Sequence, residues 1–342
     1  MLDGMDSDLR RKLVRHARFE HSIQSFFEES GYVAVSTPIL APFLIPEPAI
    51  EVFRTDYVPG RGPTRPFWLV PSPELWMKRL LAQGAGNIYQ VSRSFRNGDF
   101  GGPYHNPEFR LLEWYSMDAD YLDSITTTEA LFHHLLAHAS DEDHVDALRR
   151  IAPPFERLTM EEAFRRYARI ELSRCSDREA MIDAGRAQGL SMTDDSTWEE
   201  AFHIAFLTLV EPSLPRQRPL VLMNYPSLVP TTARSLAETP WSQRWELFID
   251  GVEIANCYTE ETDPDALGAL ISSESERKKG GRIQHEPDTG LARVFPRGFS
   301  RCSGTALGVD RLEMVFSGEK SLEGVILFPF SAIIGKQSGT EG

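Results

Sequence analysis

Cysteine is scarce in this chain. Cys175, Cys257 and Cys302 are the only three in 342 residues, and their spacing gives neither a disulfide framework nor a set of metal-binding thiolates. A reducing cytoplasm suits that usage. Long apolar runs are missing too. No segment approaches the roughly 20 residues of a membrane span, and the opening Met1-Leu2-Asp3-Gly4-Met5-Asp6 is acidic without a signal-peptide core. Positive charge is the third shortage: 36 Lys and Arg face 50 Asp and Glu, a net charge of −14. A protein that holds nucleic acid by its phosphates needs a basic surface. The small cluster Lys278, Lys279 and Arg282 reads as a solvated loop. Stable binding of tRNA or DNA is therefore not expected, and a small molecule or a protein is the expected substrate. No internal repeat or low-complexity segment breaks the chain.

What is present is an ordinary mixture of elements. Residues 8–30 carry Leu13, Phe19, Ile23 and Phe26/Phe27 near helical spacing. Gly31 ends that helix and a strand runs over Tyr32–Val35 into Thr37-Pro38. Proline and glycine make 39–66 loop and short strands. A strand at 68–70 leads through Ser72-Pro73-Glu74 into a helix over 75–83. Strands follow at 88–95 and 108–116, then a helix over 124–139. His134 and His138 on it have metal-ligand spacing, with no third ligand in the pattern. Residues 155–215 read as a helical insertion, with capping boxes at Thr159–Glu162 and Ser196–Glu199 opening amphipathic helices. Strand signals return at 219–223 and 244–259, a helix at 264–280, a strand at 303–309 and a helix at 310–317. This order predicts an α+β fold built on an antiparallel β-sheet flanked by helices. One domain over 1–335 with the insertion at 155–215 accounts for the chain.

Three blocks carry chemistry. The first runs from Phe95-Arg96-Asn97-Gly98-Asp99 to Tyr104-His105-Asn106-Pro107-Glu108-Phe109-Arg110-Leu111-Leu112-Glu113-Trp114-Tyr115. Strand side chains alternate, so Phe109, Leu111, Glu113 and Tyr115 share a face. The second block is Arg244–Glu260, where Asp250-Gly251 between apolar runs is a two-residue hairpin signal. That turn pairs Ile249 with Val252 and Phe248 with Glu253, and sets Glu246 and Glu253 diagonally on one face, able to share a divalent cation. Oxygen ligands facing a triphosphate suit Mg²⁺. Strict alternation then puts Asn256, Tyr258 and Glu260 on the opposite face, unless a bulge falls near Ala255. The third block is Cys302-Ser303-Gly304-Thr305-Ala306-Leu307-Gly308-Val309-Asp310-Arg311. Strand glycines admit a ligand, and Arg311 lies at a helix start that favours anions.

These blocks resemble motifs 2 and 3 of the class II aminoacyl-tRNA synthetases, lysyl branch, and the helix with Val35-Ser36-Thr37-Pro38 resembles motif 1, which forms the dimer interface there. Motif 1 lies within the first forty residues, where the lysyl enzymes place it after an anticodon-binding barrel. In this the chain is similar to the elongation factor P lysine ligase family, whose members activate (R)-β-lysine with ATP and transfer it to a lysine of elongation factor P. The resemblance implies that ATP is held by Arg96, Asn97, Asp99, Asn106, Phe109, Glu246, Glu253, Ile254, Gly308 and Arg311. Glu246 and Glu253 would hold Mg²⁺. Lysine or β-lysine would meet Ser72, Pro73, Glu74, Glu113, Tyr115, Asn256, Tyr258, Glu260 and Ala306. Arg96, Glu253 and Arg311 would be the catalytic groups, in a cytoplasmic homodimer. Ala306, where the lysyl synthetases have Gly, would bias the pocket toward β-lysine. Some positions depart from the pattern: Asp99 replaces a Glu one place earlier, Arg110 a Thr, Cys257 a Gly and Tyr258 a Phe. The tract Tyr225–Pro230 also differs from the family's Ser/Ala-rich pattern. Cys257 is expected to add bulk beside the pocket. A stand-alone synthetase with another amino acid or acceptor remains open, as does a regulatory paralogue without activity.

Overall fold

The computed structural model describes residues 6–98, 101–139 and 150–335. Helix α1 (Ser7–Glu29) starts at Asp6, whose carboxylate accepts from the amides of Asp8 and Leu9. It buries Phe19, Ile23, Phe26 and Phe27 and ends before Gly31, which takes φ 79°. Short strands β1 (Val33–Ala34), β2 (Leu40–Ala41), β3 (Arg54–Tyr57) and β4 (Arg65–Leu69) follow, then helix α2 (Glu74–Ala82). Strands β5 (Ile88–Phe95) and β6 (Glu108–Met117) form a long antiparallel pair, and helix α3 (Tyr121–Ala137) returns over them.

The insertion is less purely helical than its sequence reads. It opens with strand β7 (Glu156–Thr159), which pairs in parallel with β8 (Leu220–Pro226) and so extends the main sheet. Helices α4 (Met160–Ala163), α5 (Arg178–Ala187) and α6 (Trp198–Ala205) then pack a separate apolar cluster around Phe164, Phe202 and Phe206. The Thr159–Glu162 capping box forms as expected. The second box is Thr197 with Glu200, one residue beyond the expected Ser196 and Glu199, because Thr197 is the residue that caps α6.

Strands β9 (Trp241–Ile249) and β10 (Val252–Thr259) make the expected hairpin. Asp250 and Gly251 both take positive φ, 53° and 80°, the backbone that a two-residue turn requires. Helix α7 (Pro264–Lys278), strand β11 (Cys302–Gly308), helix α8 (Val309–Phe316) and helix α9 (Phe330–Gly335) complete the chain. The eight-stranded sheet runs β1-β5-β6-β11-β10-β9-β8-β7. Its six central strands pair antiparallel, and a parallel pairing closes each end. A separate sheet holds β2, β4 and β3. The main core joins α1, α3 and α8 to one sheet face through Phe27, Trp114, Phe132, Trp245 and Leu312. Fully burying each such side chain contributes about 1.5–3 kcal/mol. That leaves the other face of β6, β10 and β11 to carry polar groups. No helix among the described residues is long and apolar enough to cross a membrane.

Candidate active site

Two adjoining cavities lie on that polar face, and Arg96 lines both. The first is bounded by Phe109, Asn106, Glu253, Ile254, Gly308 and Arg311. The Arg96 guanidinium lies 5.3 Å from the Phe109 ring centroid, and its Nε is buried with no hydrogen-bond partner. A buried unpartnered donor is costly, so a ligand oxygen would be well received there. Arg311 is fixed from two sides: Nε donates to the carbonyl of Tyr104 at 3.1 Å and Nη1 to that of Glu253 at 2.9 Å. Asn106 accepts from the amide of Phe330 at 2.9 Å, which ties this loop to α9. A Cβ built on Gly308 meets no protein atom closer than 3.6 Å, so its bareness keeps the cavity open.

The conflict of faces in β10 is resolved by a bulge. Glu253 pairs with Phe248 and Ala255 with Leu247, which leaves Ile254 as an extra residue. Beyond it Asn256 pairs with Glu246 and Tyr258 with Arg244. Glu253, Asn256, Tyr258 and Glu260 therefore line the same continuous site. Cys257 falls on the other side, fully buried in the main core, so it adds no bulk to the pocket. Its expected place beside the substrate is wrong, and the bulge is the reason.

Glu246 is held by its own chain. It accepts from Tyr225 Oη and from Arg244 Nη2, both at 2.6 Å. Arg244 in turn sits 4.5 Å from the Tyr225 ring centroid and 5.6 Å from that of Tyr258. Burial, and then the charge of Glu246, raise the Glu253 carboxyl above its usual range, although Arg311, Arg96 and Arg244 oppose the shift. Two carboxylates that repel each other fit one divalent cation whose other ligands come from phosphates and water. Among the described residues no cluster of three or more His, Cys, Asp or Glu could hold a metal alone. His134 and His138 stack on each other at 4.2 Å, and His134 also meets Ser25, so that pair gains no third ligand.

The second cavity is acidic. Glu47, Glu74, Glu113 and Glu260 line it together with Ser72, Tyr115 and Ala306. Ser72 Oγ donates to Glu113 at 2.6 Å and also accepts from the Glu74 amide at 3.0 Å, so Ser72-Pro73-Glu74 both starts α2 and orients the pocket. Burial first, and then Glu74, push the Glu113 carboxyl up to about 8. Burial and Glu74 likewise push Glu47 up to about 7. Gly304 is required here, since a Cβ would collide with the Glu260 carboxylate and the Tyr115 ring.

Glu74 and Glu260 are not free for a ligand alone. Lys78, 1% exposed, places Nζ 2.5 Å from Glu74 and 2.8 Å from Glu260. Burial acts to lower its ammonium, but the two carboxylates outweigh burial and raise it. Lys78 and Glu47 are the lining or supporting groups that motif reading misses. Lys78 was legible as a Glu74–Lys78 helical i, i+4 pair. Glu47, between Pro46 and Pro48 in a loop, carries no such signal.

Other expected residues divide. Asn97 lines neither cavity; its amide donates to the carbonyl of Glu51 and its side chain to that of Val52. Asp99 lies outside the described residues. Arg110 borders the first cavity, as does Asp310, but its guanidinium is buried and meets Asp310 at 2.8 Å and Glu313 at 2.5 Å. It therefore ties the strand of Phe109 and Glu113 to the helix of Arg311.

Comparison with known proteins agrees with this geometry. The family model of class II tRNA synthetases (D, K and N) matches residues 1–332. The chain is 33% identical over 323 residues to the elongation factor P–(R)-beta-lysine ligase of Yersinia enterocolitica, covering 93% of this chain and 94% of that one. It is 32% identical over 327 residues to the protein of the same name in Buchnera aphidicola, with 94% and 96% covered. A homologue of that ligase in Aquifex aeolicus is 32% identical over 304 residues, with 89% and 94% covered. With a matching family model over nearly its full length, and Arg96 on Phe109, the carboxylates and the acidic pocket gathered on one sheet face, the chain belongs to the class II tRNA synthetase (D, K and N) family.

Proposed function

We propose that this protein activates a doubly cationic amino acid with ATP, as an aminoacyl-adenylate, and transfers it to a lysine of elongation factor P. The charge balance of the second cavity carries the reading. Four carboxylates, Glu47, Glu74, Glu113 and Glu260, face two internal cations, Lys78 and, at the edge shared with the ATP cavity, Arg96. A lysine-like substrate brings two ammonium groups to the excess, and its carboxylate goes to Arg96 at the junction with the ATP cavity. The names of the relatives support (R)-β-lysine as that substrate and elongation factor P as the acceptor. Ala306 supports the β-amino isomer, since a methyl on the pocket floor biases where an amino group sits.

Phe109 and Arg311 would sandwich the adenine, a contact of about 0.5–2 kcal/mol. Arg96 would hold the α-phosphate and the substrate carboxylate together. Mg²⁺ on Glu246 and Glu253, when bound, would neutralise phosphate charge. The substrate carboxylate attacks the α-phosphorus and pyrophosphate leaves. The acceptor amine then attacks the carbonyl carbon and AMP leaves. No side chain serves as a covalent nucleophile, so positioning and charge stabilisation do the catalysis. A cytoplasmic homodimer fits this reading: Val33, Ile39 and Leu40 are exposed apolar groups after α1, suited to an isologous contact. Mass spectrometry of elongation factor P after incubation with the enzyme, ATP and (R)-β-lysine tests the proposal. One added β-lysyl group on a single lysine is expected. An unmodified acceptor with charged tRNA instead would overturn it.

A further inference from the structure

A third cavity adjoins the amino-acid cavity and has no part in the chemistry above. It opens between the loop of Ile45 and Pro46, the segment 230–232 and helix α7, and it shares Glu47, Glu74 and Tyr258 with the amino-acid cavity. Its outer walls are mostly apolar, formed by Ile45, Pro46, Pro230, Leu270 and Ile271, with one carboxylate on the α7 side, Glu274, already paired with Arg277 at 2.8 Å. Its inner end is acidic, where Glu47 and Glu74 stand. Methylenes lie well against apolar walls while the charged tip seeks a polar partner, and an ammonium meeting carboxylates gains charge-assisted hydrogen bonds. An aliphatic amine of lysine type fits that gradient. The amino acid being activated already has the neighbouring cavity, so the amine left to place is the acceptor's.

We infer that this third cavity is the port through which the acceptor lysine reaches the aminoacyl-adenylate, with Glu47 at its inner end receiving the proton released as the amide forms. The inference rests on the proposed function and adds the acceptor's route to it. Glu47 lines both the port and the amino-acid cavity, and Arg96, which would hold the reacting carboxylate, lines the latter. The incoming ammonium gives one proton to solvent and becomes an amine. Its nitrogen attacks the carbonyl carbon and forms the C–N bond. The bond from that carbon to the phosphate oxygen breaks, AMP leaves with the electron pair, and the remaining excess proton passes to Glu47. A carboxylate raised to about 7 by burial and Glu74 suits a base working near neutrality.

The test compares two activities of one protein. Leu270 lines the port and neither of the other cavities. In Leu270→Trp, transfer of the amino acid to elongation factor P should fall by about tenfold or more, while ATP–pyrophosphate exchange stays within about twofold. Thr231→Trp, from the facing wall, should do the same. Hydroxylamine, small enough to reach the adenylate in either variant, should still form hydroxamate. Starting from preformed adenylate, the transfer rate should climb less steeply between pH 6 and pH 8 in Glu47→Gln than in the wild type, because one of the two required ionisations is gone. Unchanged transfer in both tryptophan variants would show that the amine enters elsewhere. Equal loss of exchange and transfer in both would make the cavity part of amino-acid entry. Either result overturns the inference. Failure of the proposed function would look different, as wild-type protein that supports no exchange.

Discussion

Binding of a cationic amino acid should be steeply pH-dependent, because the pocket is protonated when it is empty. Glu113 is 3% exposed, accepts from Ser72, and has its carboxyl pushed up to about 8 by burial and then by Glu74. It must be ionised to receive an ammonium. For a group with that value, the population ready to bind falls about fiftyfold between pH 8 and pH 6, from the ratio (1 + 100)/(1 + 1), or about 2.3 kcal/mol. Glu47, at about 7, adds to the loss over the same interval. Titration calorimetry with (R)-β-lysine should show affinity falling on the order of fiftyfold or more from pH 8 to pH 6. Repeating it at pH 7 in buffers of different ionisation enthalpy should reveal about 1.4 protons released per amino acid bound, about 0.9 from Glu113 and about 0.5 from Glu47. Glu113→Gln should remove most of both effects along with most of the affinity. An affinity flat across this range, with no proton released, would refute the account of the acidic pocket.

Other outcomes follow from the same groups. A carboxyl whose value is raised in the folded state costs stability once pH exceeds its unfolded value. Between pH 8 and pH 7, above the histidine range, the ligand-free protein should therefore melt at higher temperature as pH falls, seen by calorimetry. Lys78→Met leaves Glu74 and Glu260 without their buried cation and should cost about 3–5 kcal/mol in denaturant unfolding; a loss under about 1 kcal/mol would mean that Lys78 is no structural counter-ion. Arg110→Thr takes the guanidinium from Asp310 and Glu313 but leaves Glu313 near Arg15 and His16 and Asp310 on the backbone amide of residue 110, so it should cost less than Lys78→Met, about 1–3 kcal/mol, with lower exchange activity because α8, which carries Arg311, is less firmly tied to β6. Ala306→Gly should move the preference for β- over α-lysine by about 1–3 kcal/mol toward α-lysine, measured as the ratio of kcat/KM values.

Local patterns made much of this legible. Asp250-Gly251 gave the hairpin and its pairing, and alternation gave the shared face of Phe109, Glu113 and Tyr115, which line the two main cavities. The motif order gave the family. Physical events with no local signature did not show. The bulge at Ile254 inserts one residue into β10 and so reverses every later side chain, which returns Asn256, Tyr258 and Glu260 to the site and sends Cys257 to the core. The departure at Arg110 carries no local sign of its role, because its partners Asp310 and Glu313 lie some 200 residues away in sequence. Glu47 enters the pocket from a proline-rich loop, and only tertiary packing brings it beside Glu74. The strand β7 was hidden in the insertion because it is only four residues long and gains its partner, β8, from beyond the insertion's helices.

The central claim is that this sheet face forms an adenylate from ATP and a doubly cationic amino acid. ATP–pyrophosphate exchange, run with α-lysine, both β-lysine enantiomers and the standard amino acids, tests it most directly. The account predicts Mg²⁺-dependent exchange that is strongest with (R)-β-lysine, weaker with α-lysine, absent with neutral and acidic amino acids, and abolished in a folded Glu253→Gln variant. Exchange that prefers a neutral or acidic amino acid, or no exchange with any of them, would contradict it.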